Sequence, residues 1–416
     1  MTMKVEALVI GGGSIGVCSA YSLSSKGKQV TVVDQGLVGA GCSYGNAGVV
    51  AASHIVPLAA PGVLLQGLRW LFDPDGPFYI KPRLDPQLAL WLWRFAMACR
   101  QKPTLRGTSL LSELTRASLP LFRELANTDG VGFYFREKGS LTLYRNPGQF
   151  QADVKATQML KGYGIDSTIL DRNGVRGFEP RVSSQVVGGI HFPGDAHLNP
   201  SKFVTRLACH AQKLGARFLS QTEVVDFETR DGKIRKVKTT RGDFEPDDVV
   251  LAAGSWSGQL AKRLKLSLSI QPAKGYSLTF KCSGLDECPP FNLSEAKVIV
   301  TPMGNTLRFA GTLELAGLDF SVNQGRARAV QSAVGNYLSG MEHLELLEIW
   351  RGLRPLTPDG LPIIERSRTW ENLIIATGHG MQGIALGPIT GKLVSELACR
   401  ETPSIKIEGL GERRFR

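Results

Sequence analysis

The chain has 416 residues, 43% of them hydrophobic, and no apolar run reaches the roughly 18 to 20 residues of a membrane span, so a soluble protein with room for two domains is expected. A formal charge of +12 is spread thinly, without the basic stripe and interleaved aromatics that would make a nucleic-acid face. Seven scattered cysteines without a C-x-x-C pair and six histidines without ligand spacing exclude a disulfide scaffold and a metal centre, and point to a reducing, cytoplasmic compartment.

Residues 5–10 read as a first strand, too early for a signal peptide. Gly11-Gly12-Gly13-Ser14-Ile15-Gly16 then gives a tight turn into a helix, which Lys26-Gly27 stops. Residues 29–33 form a second strand, and Asp34 follows about 20 residues after the glycines, where a ribose-binding carboxylate sits in dinucleotide folds. Gly11 allows the turn, Gly13 the close approach of a pyrophosphate, and Gly16 the packing of helix on sheet. Gly11, Gly13, Ser14, Ile15, Gly16, Asp34 and Gln35 are therefore the expected nucleotide contacts. The acid at 34 would repel a 2′-phosphate and disfavours NADP.

From Pro57 the texture changes to apolar helices at 62–72 and 88–98, and Leu110, Leu111, Leu114, Leu121 and Leu125 keep helical spacing, with Pro120 expected to kink or restart that helix. Strands return at 140–144 and 189–192, then a helix at 201–214 and a hairpin of 224–229 with 233–239. Residues 248–254 form an almost wholly apolar strand closed by glycine, suited to a buried parallel sheet. A β-rich stretch covers 275–349. Residues 373–377 are a last buried strand, followed by Gly378-His379-Gly380-Met381-Gln382-Gly383 and a helix from Ile384 to Cys399. This second G-x-G-x-x-G has too little chain after it for another βαβ unit, which takes about 30 residues, so it is expected to complete the first nucleotide's site.

These residues resemble the FAD-dependent amine and amino-acid oxidoreductases, a family that includes D-amino-acid oxidase, glycine oxidase, sarcosine oxidase and the D-amino-acid dehydrogenases. The resemblance spans nearly the whole chain. It rests on the 11–34 region, Ser43-Tyr44-Gly45-Asn46-Ala47-Gly48, Ala252-Ala253-Gly254-Ser255-Trp256, Lys274-Gly275-Tyr276-Ser277, Gly352-Leu353-Arg354-Pro355, Thr357-Pro358-Asp359-Gly360 and Thr377-Gly378-His379-Gly380. It implies an α/β fold: a Rossmann-like FAD-binding domain (residues 1–58, 182–262 and 362–400) interleaved with an α+β substrate domain containing a large antiparallel sheet (59–181 and 263–361), and a tail at 401–416. It places Ser43, Asn46, Ala47 and Gly48 along the pyrophosphate and flavin, Val225 and Gly254 near the adenosine, and Gly380, Gly383 and Ile384 at the isoalloxazine.

The resemblance also implies that Arg354 binds a substrate carboxylate, with Arg351 its local rival. A planar guanidinium suits that task through two parallel hydrogen bonds. Tyr276 would add a hydrogen bond, His54 lies just past the flavin segment, and Met381 and Gln382 would line the pocket. No cysteine occurs between residues 350 and 359, where sarcosine oxidase attaches its flavin, so non-covalent FAD is expected. The implied reaction is hydride transfer from a D-amino acid, giving an imine and then an oxo acid. A D-proline or D-hydroxyproline type secondary amine, an NAD-linked dehydrogenase and a non-catalytic FAD-binding subunit are the alternatives. Electrons would pass to quinone or oxygen. Trp70, Leu71, Phe72, Phe78, Trp91, Trp93 and Phe95, with Arg69 and Arg94, are candidates for a peripheral membrane surface.

Overall fold

The computed structural model describes all residues except 1, 72, 74, 75, 286, 342 and 416. Among the described residues the strands form an eight-stranded sheet, a nine-stranded sheet and a two-stranded ribbon. In the first sheet Leu373–Thr377, Gly242–Leu251, Thr2–Ile10, Val30–Val33 and Arg217–Leu219 lie side by side and parallel. Val30–Val33 and Leu373–Thr377 are buried at every position, because helices and loops cover both faces. That burial is why their sequences are almost wholly apolar, broken only by Thr31 and the terminal Thr377, rather than alternating. The hairpin of Val224–Arg230 and Lys233–Thr239 extends this sheet in antiparallel fashion.

The second sheet runs in the order Leu346–Leu356, Gln271–Lys281, Thr306–Leu315, Val298–Pro302, Phe291–Leu293, Ser140–Tyr144, Gly188–Phe192 and Thr168–Asp171, with Phe78–Ile80 beside Thr306–Leu315. Its strands come from two separate stretches of chain, so the pieces of the two sheets interleave along the sequence. The strand Gly188–Phe192 falls inside the 182–262 segment assigned by resemblance to the nucleotide domain, yet it pairs with Ser140–Tyr144 and Thr168–Asp171 in the second sheet. An isolated apolar pentapeptide carries no information about which sheet will accept it.

Helix Ser14–Ser25 follows the glycine turn directly and packs against the last helix, Gly387–Ala398. Helix Pro86–Ala98 starts where Asp85 accepts hydrogen bonds from the Gln87 and Leu88 N–H groups and proline takes the first turn. Helix Gln101–Ala126 runs unbroken through Pro120, contrary to the expected restart. The bond lost there is outweighed by burial of Leu111, Leu114, Phe122 and Leu125 on one face, each worth about 1.5 to 3 kcal/mol. The last helix begins at Gly387 rather than Ile384, because residues 378–386 form a loop that first crosses the end of the parallel sheet.

Candidate functional site

A cavity of about 390 Å³ opens at the carboxyl ends of the parallel strands, lined there by Ile10, Val33, Ala252 and Thr377. This is the place where open α/β sheets bind ligands. Its floor is the glycine turn. A Cβ on Gly16 would fall 1.8 Å from the Gly11 carbonyl oxygen, and one on Gly11, whose φ is +112°, would fall 2.4 Å from the Ala252 carbonyl oxygen. Helix Ser14–Ser25 has no acidic residue in its first turn and no side-chain cap, so its N-terminal end is left open to an anion. The Ser14 N–H does meet Ser43 Oγ, at 2.9 Å, which ties the 41–48 loop to the helix start.

At one end of the cavity Asp34 accepts from the Gly12 N–H at 2.6 Å through one oxygen and from the Gly36 N–H at 2.7 Å through the other. Each oxygen keeps a lone pair for a hydroxyl. Gly11, Gly13, Ser14, Ile15, Asp34, Gln35, Ser43, Asn46, Gly254, Gly380, Gly383 and Ile384 all line the cavity. Gly16 lies beneath it, against Gly11. Ala47 and Gly48 are outside the lining, as is Val225, whose side chain is exposed while its neighbour Val224 faces in. A bulge between Val224 and Asp226 breaks the alternation there, so Val224 and Phe227 face in and Val225 faces out.

At the other end the cavity is lined by Leu353 and Pro355; Arg354 between them is outside the lining and acts electrostatically on Cys42, which is in it. Arg354 Nη1 donates to the Thr312 carbonyl at 2.7 Å and Nη2 approaches the Gly311 carbonyl at 3.5 Å. Among the described residues no carboxylate forms an ion pair with it, and burial draws its pKa below the usual arginine value. Arg351, on the opposite face of the same strand, is spent on the Phe320 carbonyl at 2.8 Å and the Phe320 ring. Cys42 also lines the cavity. Burial pushes its thiol up to about 11 against the opposing pull of Arg354, so the thiolate is absent at neutral pH.

Tyr276 stands apart from this group. It is 1% exposed, it projects to the face of its strand opposite Gly275 and Arg354, and its hydroxyl accepts from the Asn323 N–H at 3.1 Å. There it adjoins Lys274, which is buried with Glu314 and Asp319, each at 3.3 Å. The expected hydrogen bond from Tyr276 to a substrate at Arg354 is therefore sterically excluded by the sheet between them. His54 is exposed; its carbonyl accepts from Gln382 Nε2 at 2.7 Å and its N–H donates to the Ala51 carbonyl at 3.4 Å. Met381 and Gln382, expected in the pocket, are outside the cavity lining; Met381 is half exposed and its carbonyl accepts from Asn46 Nδ2 at 3.3 Å, where the 378–386 loop meets the 41–48 loop. His379, which lines the cavity unpredicted, is buried, bonded to Thr390 Oγ1 at 2.9 Å, and held by burial near a pKa of about 3.

The family profile described as DAO, FAD dependent oxidoreductase, matches residues 6–397. D-amino acid dehydrogenase of Granulibacter bethesdensis is 34% identical over 99% of this chain and 100% of its own length. The D-amino acid dehydrogenase of Vibrio atlanticus is 32% identical over 99% and 100%. Among solved structures, glycine oxidase from Geobacillus kaustophilus superposes with a TM-score of 0.80 at 23% identity, covering 99% of this chain and 98% of that one. L-proline dehydrogenase from P. horikoshii superposes at 0.78 with 20% identity, covering 100% and 98%. At these identities the two structures speak to the fold.

Proposed function

Because the chain belongs to the family of FAD-dependent oxidoreductases, we propose that it oxidises D-amino acids, the substrate class in the names of its full-length relatives. The observation that carries this reading is the uncompensated guanidinium of Arg354 beside the cavity that fits the dinucleotide. A half-buried guanidinium with no protein carboxylate is matched to a carboxylate supplied by the substrate.

FAD suits the cavity on its own geometry: a glycine floor that no side chain could share, an open helix N-terminus, and an acid with free lone pairs at the far end. In the proposed assignment Gly11, Gly13, Ser14 and Ile15 face the phosphates and Asp34 and Gln35 the ribose. Ser43, Asn46, Gly380, Gly383 and Ile384 face the flavin. FAD, when bound, supplies the hydride acceptor. The protein's share is positioning. Arg354 fixes the carboxylate and thereby the Cα–H, and no side chain at the site acts as a dedicated base, since His379 is neutral and bonded and His54 is exposed and outside the cavity lining. The absence of a thiolate at Cys42 agrees with non-covalent FAD.

For electron disposal we propose a quinone at a membrane surface. Helix Val63–Leu71 has no buried residue and exposes Leu64, Leu65 and Leu68, next to Arg69. Leu84, Leu90 and Trp93 are exposed as well. Of the aromatic set expected on this face, Trp91 is buried with its Nε1–H on the Leu356 carbonyl, Phe95 packs against it, and Phe72 lies outside the described residues. The apolar surface is thus made mainly by leucines. Among the described residues no helix is long and apolar enough to cross a membrane.

The test is anaerobic titration of the purified yellow protein with D-amino acids and D-proline derivatives while the flavin absorbance is followed. Bleaching by D-amino acids is expected, and preferential bleaching by cyclic secondary amines would move the substrate class. Colourless protein, or bound flavin that no amine reduces, overturns the reading.

A further inference from the structure

A second cation, this one buried, shares the face of the sheet that carries the half-buried Arg354. Arg308 is 5% exposed, and among the described residues its hydrogen bonds go to neutral oxygens rather than to a carboxylate. Its register places it there: Arg308 pairs with Thr279 and Arg354 with Ala273, and positions 273 and 279 of one strand point the same way. Burial lowers its pKa, while Tyr44 and Glu348 oppose that shift. An arginine nevertheless keeps its proton, so the cost of desolvating it is offset by what it donates to.

Arg308 Nη1 donates to the Tyr44 carbonyl at 2.8 Å and the Asn46 carbonyl at 3.1 Å. Its Nε reaches Thr279 Oγ1 at 3.3 Å, and the guanidinium lies over the Tyr44 ring, 5.8 Å from its centroid. Both carbonyls belong to the 41–48 loop, whose Cys42, Ser43 and Asn46 line the cofactor cavity. That loop is tied on one side to the first helix through Ser43 and on another to the 378–386 loop through Asn46. Arg308 supplies a tie from the substrate sheet.

We infer that Arg308 is a positioning residue, which sets the spacing between the cofactor loop and the sheet face bearing Arg354. This rests on the proposed reading of the site. Hydride transfer depends steeply on the separation of donor and acceptor, and a displacement of about 1 Å can cost about a hundredfold in rate. A forked guanidinium can hold two carbonyls and a hydroxyl together, whereas a lysine ammonium at the same place is a single point.

The test compares Arg308→Met and Arg308→Lys with the parent holoenzyme by visible circular dichroism of the bound flavin, by the anaerobic rate of flavin reduction, and by KM. Arg308→Met is expected to lose at least tenfold in reduction rate per bound flavin at saturating D-amino acid, with KM changed less than threefold and the visible dichroism altered. Arg308→Lys should recover part of the rate. Loss of FAD occupancy, with the remaining flavin reduced at the parent rate and with parent dichroism, would make Arg308 merely structural and overturn the inference. Should Arg308→Met not fold, Arg308→Lys decides: parent rate together with parent dichroism overturns, and a shift in both supports. If no amine reduces the parent protein, the proposed function fails, and the dichroism of the variants still decides the role of Arg308.

Discussion

The guanidinium of Arg354 occupies the space that a side chain at position 275 would need: a Cβ built on Gly275 falls 2.1 Å from Nη1 and 2.2 Å from Nη2. The two residues lie on adjacent strands, where Gly275 faces Gly352 and Ala273 faces Arg354. Arg354 can therefore lie flat across the sheet, over a bare stretch of backbone, with its Nη atoms reaching the Thr312 and Gly311 carbonyls. The glycine in Lys274-Gly275-Tyr276 and the arginine in Gly352-Leu353-Arg354-Pro355 are two halves of one device.

Gly275→Ala should accordingly behave as a weakened form of Arg354→Leu. Charge-assisted hydrogen bonds are worth about 1.5 to 3 kcal/mol, so removing the guanidinium should raise KM by roughly 10- to 100-fold, with FAD still bound. The alanine variant should show an increase in KM of the same kind, because a methyl group at 275 pushes the guanidinium off its carbonyls. Steady-state kinetics with flavin content measured in parallel check both, and parental kinetics at low substrate in Arg354→Leu would remove Arg354 from the site.

At the opposite end of the cavity, the contact of Gly16 with the Gly11 carbonyl allows no methyl group. Gly16→Ala must lift the first helix from the sheet or distort the turn that forms the cavity floor. The expected product is colourless protein, or protein that releases FAD at dilutions where the parent keeps it. Absorbance at the flavin band relative to protein absorbance reports this directly. A fully loaded Gly16→Ala variant would show that the turn is not the cofactor floor.

How much of this was legible in the sequence depended on whether a feature is local. The glycine turn, Asp34 and the buried strands at 30–33 and 373–377 are fixed by neighbours in the chain, and the cavity lies where those pieces meet. What failed was direction. Tyr276 and Arg354 belong to neighbouring strands of one sheet, but only the register shows that they face opposite ways. Val225 sits at a bulge that turns it outward beside the cavity-lining Val224. Arg308 carried no motif at all. Its importance arises from carbonyls about 260 residues away in the chain.

The apolar face of helix Val63–Leu71 predicts binding to lipid. Leu64, Leu65 and Leu68 are each more than two-fifths exposed, and burying one such side chain is worth about 1.5 to 3 kcal/mol. Flotation with liposomes containing anionic lipid should carry the protein upward, and Leu65→Glu with Leu68→Glu should leave it at the bottom while its flavin remains reducible. If the parent stays entirely in the lower fractions, the surface is not a membrane contact.

The acid side of the stability profile should be governed in part by His197. Its ring is fully buried, and among the described residues neither ring nitrogen has a hydrogen-bond partner. Burial first, and then Arg136 and Lys138, hold its pKa down from 6.5 to about 4. Because the folded value is depressed, the unfolded chain binds the proton more readily in the interval between the two. Stability is therefore fully present above about pH 6.5 and is lost as the pH falls toward 4, by about 3 kcal/mol for a shift of this size. His379, depressed to about 3, acts with the same sign. His197→Phe keeps an aromatic ring without a titrating group. Urea unfolding at pH 7 and pH 4.5 should show a smaller loss of stability for this variant than for the parent, and equal losses would mean that His197 is already paired with a proton donor or acceptor in the folded protein.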